Sequence, residues 1–272
     1  MMVSQAEKGA VFRALHERDG AFIIPNPWDV GTALMMQGMG FEALATTSSG
    51  CATTLGRFDG QVTREEKLEH CRQISNAVDI PVSADMENCF AYEPEGVAET
   101  IRLASETGLV GCSIEDYDNE KEPNVYDFDL AVARVKAGVD AANAMPSPFT
   151  ITARAEGVLR KKHDLDEAIR RLKAFEEVGA HVLYAPGLTT DGDVRKVIGA
   201  VSKPVDVLTL PHFKMNELAA AGAKRISLGG WLARVATGGW LRAAQEMKDI
   251  GTFEELNNAA SGKDVANVLR GK

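Results

Sequence analysis

The 272-residue chain carries only four cysteines and few aromatic residues, 6% in all. Cys51, Cys71, Cys89 and Cys112 form no CxxC pair and have no His at zinc-finger spacing. That excludes a disulfide scaffold and leaves reduced, buried thiols as the expectation. Positive charge is the scarcer sign: 30 Lys and Arg stand against 39 Asp and Glu, a formal net charge of −9. Such a balance argues against a phosphate backbone or an anionic membrane surface as partner, so neither nucleic acid nor membrane is expected. No run approaches the roughly 18 uninterrupted apolar residues of a membrane helix. The opening residues 1–8 lack the basic flank and apolar core of a signal peptide, and a cytoplasmic location is expected. No Gly-x-Gly-x-x-Gly follows the first apolar run, which removes the usual support for a dinucleotide-binding half.

What the chain does have is an alternation, repeated eight times, of short apolar runs with longer amphipathic segments. The runs are Ala21–Ile24, Ala43–Thr47, Val82–Ala84, Gly111–Glu115, Phe149–Arg154, His181–Tyr184, Val205–Leu208 and Arg225–Leu228. Continuous apolar runs of this length read as parallel strands buried on both faces. Helical patterns lie between them, including 28–37, 64–78, 94–106, 130–143, 165–178 and 215–221, with another at 231–249 after the last run. Thr63-Arg64-Glu65-Glu66 has the form of a capping box, and Asp164 precedes a helix whose first turn holds Asp166 and Glu167. Gly40, Gly108, Gly179 and Gly222 recur just before strands, where they read as helix C-caps. Eight such units match a single-domain α/β fold, the (β/α)8 TIM barrel, over about residues 1–250, followed by a helical tail at 251–272.

In a barrel the functional side chains sit at the carboxyl ends of strands. Asp85, Glu87 and Glu115 fall at the third and fourth ends, where neighbouring carboxylates repel one another unless a cation intervenes. Mg2+ is one such cation; capping or pairing with basic groups is the other reading. Arg154 ends the fifth run, and its planar fork suits a substrate carboxylate or an ion pair to Glu115 or Glu156. Thr47-Ser48-Ser49-Gly50 reads as a loop with hydroxyls and amides able to hold an anionic oxygen. Asp59 lies on a long segment able to reach the mouth.

With these residues in place the sequence resembles the isocitrate lyase and phosphoenolpyruvate mutase superfamily over about residues 12–242. The likeness rests on Pro25-Asn26-Pro27-Trp28-Asp29-Val30, Gly40-Phe41-Glu42-Ala43, Asp59-Gly60 and Pro81-Val82-Ser83-Ala84-Asp85-Met86-Glu87. It continues through Ser113-Ile114-Glu115-Asp116, Thr152-Ala153-Arg154 and Lys224-Arg225-Ile226-Ser227-Leu228-Gly229. The resemblance implies a barrel that forms homo-oligomers, tetramer or dimer, with the last helices exchanged between subunits. It also implies Mg2+, with Mn2+ as a substitute, held by Asp85, Glu87 and Glu115 directly or through water. Arg154 becomes the carboxylate clamp, Thr47, Ser48 and Asp85 the substrate contacts, and Asp59 an acid approaching the site.

Three features depart from the family pattern. Glu87 replaces a commoner Asp, Ser48 replaces a Gly, and the loop after the fourth strand, Tyr117-Asp118-Asn119-Glu120-Lys121-Glu122-Pro123, lacks the Lys-Lys/Arg-Cys-Gly-His motif. Isocitrate and 2-methylisocitrate lyase activities are therefore not expected. Lys121, Glu120 and Tyr117 are the loop's candidates for proton transfer. The resulting expectation is an Mg2+-dependent lyase that acts on a small α-keto or 2-hydroxy di- or tricarboxylic acid through a stabilised enolate, by C–C cleavage or decarboxylation. A phosphonate mutase or hydrolase and a non-catalytic dicarboxylate-binding barrel are the alternatives.

Overall fold

The computed structural model describes residues 3–119 and 124–271. Helix α1 (Gln5–Glu17) leads into β1 (Phe22–Ile24), α2 (Val30–Gly38), β2 (Leu44–Ala45), α3 (Ser48–Thr54) and α4 (Arg64–Ala77). Then come β3 (Val82–Asp85), α5 (Pro94–Ser105), β4 (Gly111–Glu115), α6 (Phe128–Asn143), β5 (Thr150–Arg154) and α7 (Leu165–Glu177). The chain continues through β6 (Val182–Tyr184), α8 (Asp191–Ala200), β7 (Val205–Leu208), α9 (Met215–Ala220) and β8 (Arg225–Ser227). It ends with α10 (Trp231–Asp249), a 3-10 turn at Glu254–Asn258 and α11 (Gly262–Leu269).

The strands pair in parallel in the order β1-β8-β7-β6-β5-β4-β3-β2, and the fold is the expected (β/α)8 barrel. Between β1 and β2 the seam closes through the amide of Ala45, which donates to the Pro25 carbonyl at 3.1 Å. Asn26 reinforces it: Nδ2 donates to the Ala45 carbonyl at 2.9 Å, and Oδ1 accepts from the Leu228 amide at 2.9 Å. One buried side chain thus ties β8, β1 and β2 together. The main core lies between the sheet and the outer helices, while Phe12 and Leu15 of α1 pack with Phe22, Ile24 and Val110 in a second cluster.

The local chemistry matches the sequence reading. Thr63 and Glu66 form the capping box of α4, and Asp164 accepts from the Glu167 amide at the start of α7. Gly108 and Gly222 take φ of 91° and 99°, a conformation cheap only without a Cβ. One stretch differs. Residues 48–54 form α3 rather than an open loop, with Thr47 as its N-cap. No helix among the described residues is long and apolar enough to cross a membrane.

Candidate active site

Asp85, Glu115 and Arg154 are the last residues of β3, β4 and β5. The register sets Asp85 beside Ser113, Glu115 beside Arg154, and Arg154 beside Tyr184, so the three functional groups emerge side by side. Arg154 Nη1 donates to Asp85 Oδ1 at 3.0 Å and reaches Glu115 Oε1 at 2.9 Å; its Nε donates to Glu156 Oε1 at 2.8 Å. None of these bonds uses Nη2. The guanidinium carbon lies 5.0 Å from the centre of the Tyr184 ring, a cation–π contact. A cavity of about 370 Å3 opens over this cluster, with Thr47, Ser48, Asp59, Asp85, Glu115 and Arg154 among its lining residues.

Electrostatics in the cluster follow from one guanidinium shared by three acids, Glu115 and Glu156 buried and Asp85 half-buried. Burial opposes the charge on Asp85, but Arg154, Lys67 and hydrogen bonds from Ser48 and the Glu87 amide outweigh it and hold the carboxyl below its usual range. The Ser48 amide donates to Asp85 Oδ2 at 3.3 Å. Glu115 goes the other way, raised well above its ordinary value by burial, with Arg154 opposing and Glu156 and Asp85 adding to the rise. Neighbouring carboxylates whose affinities for protons are driven apart in this way make the cleft a candidate functional site.

Glu87 is held differently. Its φ is 52°, and Cys89 and Phe90 follow at 59° and 54°, three non-glycine residues in the left-handed region within one loop. Strain of this kind persists only where the surroundings over-determine the backbone. Here the buried Arg134 supplies that constraint, donating to the carbonyls of Asn88, Ala91 and Tyr92. Glu87 keeps its backbone in the site: its amide donates to Asp85 Oδ1 at 3.3 Å and its carbonyl accepts from the Glu115 amide at 2.9 Å. Its side chain, however, lines an adjoining cavity of about 380 Å3 together with Asn88, Tyr117 and Asn119. Oε1 there is buried without a partner among the described residues, and burial, aided by Asp85 and Asp59 and opposed by Lys67, raises its pKa to about 7. Asp85 and Glu115 therefore meet around Arg154 while Glu87 turns aside. Among the described residues no group of three or more His, Cys, Asp or Glu side chains is gathered as a ready-made metal cage.

Asp59 is exposed on the loop between α3 and α4 and borders the acid–arginine cavity. Tyr117 stacks under the Arg160 guanidinium at 4.2 Å. Lys121 and Glu120 lie outside the described residues. All four cysteines are buried and free, and burial pushes Cys71 up to about 11 and Cys89 up to about 12, so neither is a poised thiolate.

Sequence reasoning missed several groups. Lys67 is fully buried on α4, with no hydrogen-bond partner for Nζ among the described residues. Burial opposes its charge, and the surrounding Cys71, Asp85, Cys51 and Glu87 hold it up. Its signal was available: Lys67 falls on the same helical stripe as Cys71 and Ile74, an apolar face where a charge has no local reason to sit. Arg134 under the Glu87 loop had no comparable signal, whereas the fully buried Glu156 is the ion-pair partner that the sequence offered for Arg154.

A family model described as phosphoenolpyruvate phosphomutase matches residues 12–248. The chain belongs to this family. A Burkholderia cenocepacia J2315 structure, provisionally assigned as a lyase/mutase, superimposes with a TM-score of 0.93 at 49% identity, covering 96% of this chain and 95% of that one. The structure of 2,3-dimethylmalate lyase gives a TM-score of 0.85 at 25% identity over 98% of this chain and 95% of that one. The 2-methylisocitrate lyase of Escherichia coli K12 is 27% identical over 275 aligned positions, covering 96% of this chain and 84% of that protein. The named relatives are lyases and mutases, and the family is one of enzymes.

Proposed function

We propose that this family member is an Mg2+-dependent lyase that cleaves or decarboxylates a small α-keto or 2-hydroxy di- or tricarboxylic acid. The observation that carries the reading is Arg154: a guanidinium set among three acids at the barrel mouth, with its Nη2 end outside their hydrogen bonds. A fork held on one edge by protein carboxylates offers its other edge to a substrate carboxylate.

Mg2+ binds through one or two carboxylates while keeping several waters, so it does not need three gathered acids. Asp85 and Glu115 supply hard oxygen donors at adjacent strand ends, and the orphaned Glu87 Oε1 lies within one loop of them. These residues fit such an ion, Glu87 through water. When bound, the ion supplies Lewis-acid stabilisation of negative charge developing on the 2-oxo oxygen.

The chain's own residues do the rest. Arg154 fixes the substrate carboxylate, and Ser48 and Glu87 amides hold Asp85 in one orientation. The Tyr184 ring and the barrel wall exclude water beside Arg154 and strengthen these interactions.

Calorimetric titration with oxalate, an enolate mimic, in the presence and absence of Mg2+ tests the reading. Metal-dependent oxalate binding that is lost in Asp85→Ala and weakened in Asp85→Asn is expected. Absence of metal dependence, or wild-type binding in both variants, overturns it. A 1H NMR screen with Mg2+ over oxaloacetate, 2-methylisocitrate, dimethylmalate and phosphonopyruvate then identifies the substrate.

A further inference from the structure

The opposite end of the barrel carries a second polar cavity. About 230 Å3 in volume, it opens where β5, β6 and β7 begin and is lined by Arg13, His16 and Glu17 of α1 with Thr150, His181 and Lys203. Three polar atoms of these residues are buried without a partner among the described residues: Arg13 Nε, His16 Nε2 and Thr150 Oγ1. His16 and Thr150 are 4% and 2% exposed. Buried polar groups are nearly always satisfied, so three orphans around one cavity point to a ligand that satisfies them together. Among the described residues neither Arg13 nor Lys203 makes an ion pair, although Glu17 lies one helical turn from Arg13.

The two imidazoles have their tautomers set by the backbone. His181 Nδ1 accepts from the Ile151 amide at 3.0 Å, so the neutral ring carries its proton on Nε2 and donates there. His16 Nδ1 lies 2.8 Å from the Phe12 carbonyl, which can only accept, so its proton is on Nδ1 and Nε2 is a bare acceptor. Phe12 and Phe22 hold the His16 ring edge-on at 4.8 and 5.0 Å, which fixes where that acceptor sits. Both rings are neutral near pH 7. Burial first, then Arg225 and His181, depresses His16 to about 3, and burial with Arg13 and Lys203 depresses His181 to about 4. The cavity therefore offers two cations, an N–H and a hydroxyl as donors, and one obligatory acceptor.

We propose that this cavity is a binding site for a protonated oxyanion of the hydrogen phosphate type. Arg13, Lys203, His181 Nε2 and Thr150 donate to its oxygens, and its own hydroxyl donates to His16 Nε2. Two sources share the phosphate chemistry, the free ion and a phosphomonoester. Above neutral pH the ester dianion has no hydroxyl, as sulfate has none, so the His16 acceptor favours the free ion. Glu17 is the one acid among the lining residues and opposes the anion.

The test is calorimetry on the full chain at pH 8 with sodium phosphate, methyl phosphate and sodium sulfate, alongside the 15N resonances of His16. Expected are one phosphate per chain, binding at least about ten-fold tighter than methyl phosphate or sulfate, and a shift of His16 Nε2 on saturation. Arg13→Gln and Lys203→Gln should each weaken phosphate by about ten-fold or more, while Glu17→Gln binds it at least as tightly. These three side chains are on or near the surface, and circular dichroism confirms their folding. No binding at millimolar phosphate overturns the proposal, as does binding unchanged in both cation variants, which places the ion elsewhere. Equal affinity for sulfate overturns the role of His16, and tighter methyl phosphate binding overturns the preference for the free ion.

Discussion

Replacing Arg154 by lysine keeps one positive charge in the acid cluster and removes the fork. In the native site the guanidinium spreads its bonds over two directions, Nε toward Glu156 at 2.8 Å and Nη1 toward Asp85 and Glu115 at 3.0 and 2.9 Å. An ammonium is a point donor and cannot span those directions while also presenting an N–H to a substrate carboxylate. The Nη2 contact to the substrate is lost, one charge-assisted bond worth about 1–3 kcal/mol. At about 1.4 kcal/mol per tenfold this is a roughly 5- to 150-fold weaker Kd. Oxalate titration in the presence of Mg2+ reads it, with a denaturant melt to show that Arg154→Lys stays folded. Arg154→Ala is the contrast, because it leaves Asp85, Glu115 and Glu156 buried without their cation and should destabilise the fold by about 3–5 kcal/mol. Wild-type oxalate affinity in a folded Arg154→Lys protein refutes the clamp and makes Arg154 a structural counter-ion alone.

Two further outcomes are expected. His16, His70 and His181 are depressed to about 3, about 4 and about 4, chiefly by burial, below an ordinary value of 6.5. The unfolded chain therefore takes up protons below pH 6.5 that the folded rings refuse. Their contribution to stability is present above 6.5 and is lost as pH falls, about 2 kcal/mol for His16 between pH 8 and pH 5 by linkage. Imidazole resonances unmoved over that range support this; a midpoint near 6.5 for any of the three contradicts it. The second outcome concerns assembly. Helix α10 has no buried residue and exposes Val235, Trp240, Leu241 and Met247, so light scattering should show an oligomer of the 29.3 kDa chain through exchange of this region. Trp240→Glu with Leu241→Glu should shift it toward monomer; a wild-type monomer at all concentrations rejects the assembly.

The strands were legible because parallel strands buried on both faces appear as unbroken apolar runs, and Gly111–Glu115 and Val205–Leu208 match residue for residue. Helix α3 was not. Its Ser48-Ser49-Gly50 start has low helix propensity, and the Thr47 cap and burial of Cys51 and Ala52 override it. At the site, Asp85, Glu115 and Arg154 were readable because a strand end fixes where a side chain emerges. Glu87 was not, since its aim depends on a left-handed φ in a stretch, Glu87-Asn88-Cys89-Phe90, that has no glycine to announce it. Arg134 owes its place to the carbonyls of Asn88, Ala91 and Tyr92, far away in sequence, which no local pattern encodes.

The acidity of the chain and the demands of its site meet at one point. Asp85, Glu115 and Glu156 all draw on Arg154, with Arg160 on the far oxygen of Glu156 at 3.4 Å and Lys67 buried behind. A dicarboxylate entering the mouth adds two negative charges to that group, and the only edge that Arg154 has to offer is Nη2. Among the described residues Arg160 and Arg225, which also line the cavity, are paired with Glu156 and Asp206, and Arg234 lines it without an ion pair. Under the proposed function, a cation that arrives with the substrate supplies the rest of the balancing charge, and Asp85, held below the usual carboxyl range by Arg154 and Lys67, is where it gains most. Substrate affinity should therefore follow Mg2+ concentration more steeply than it follows any single change among the surface charges.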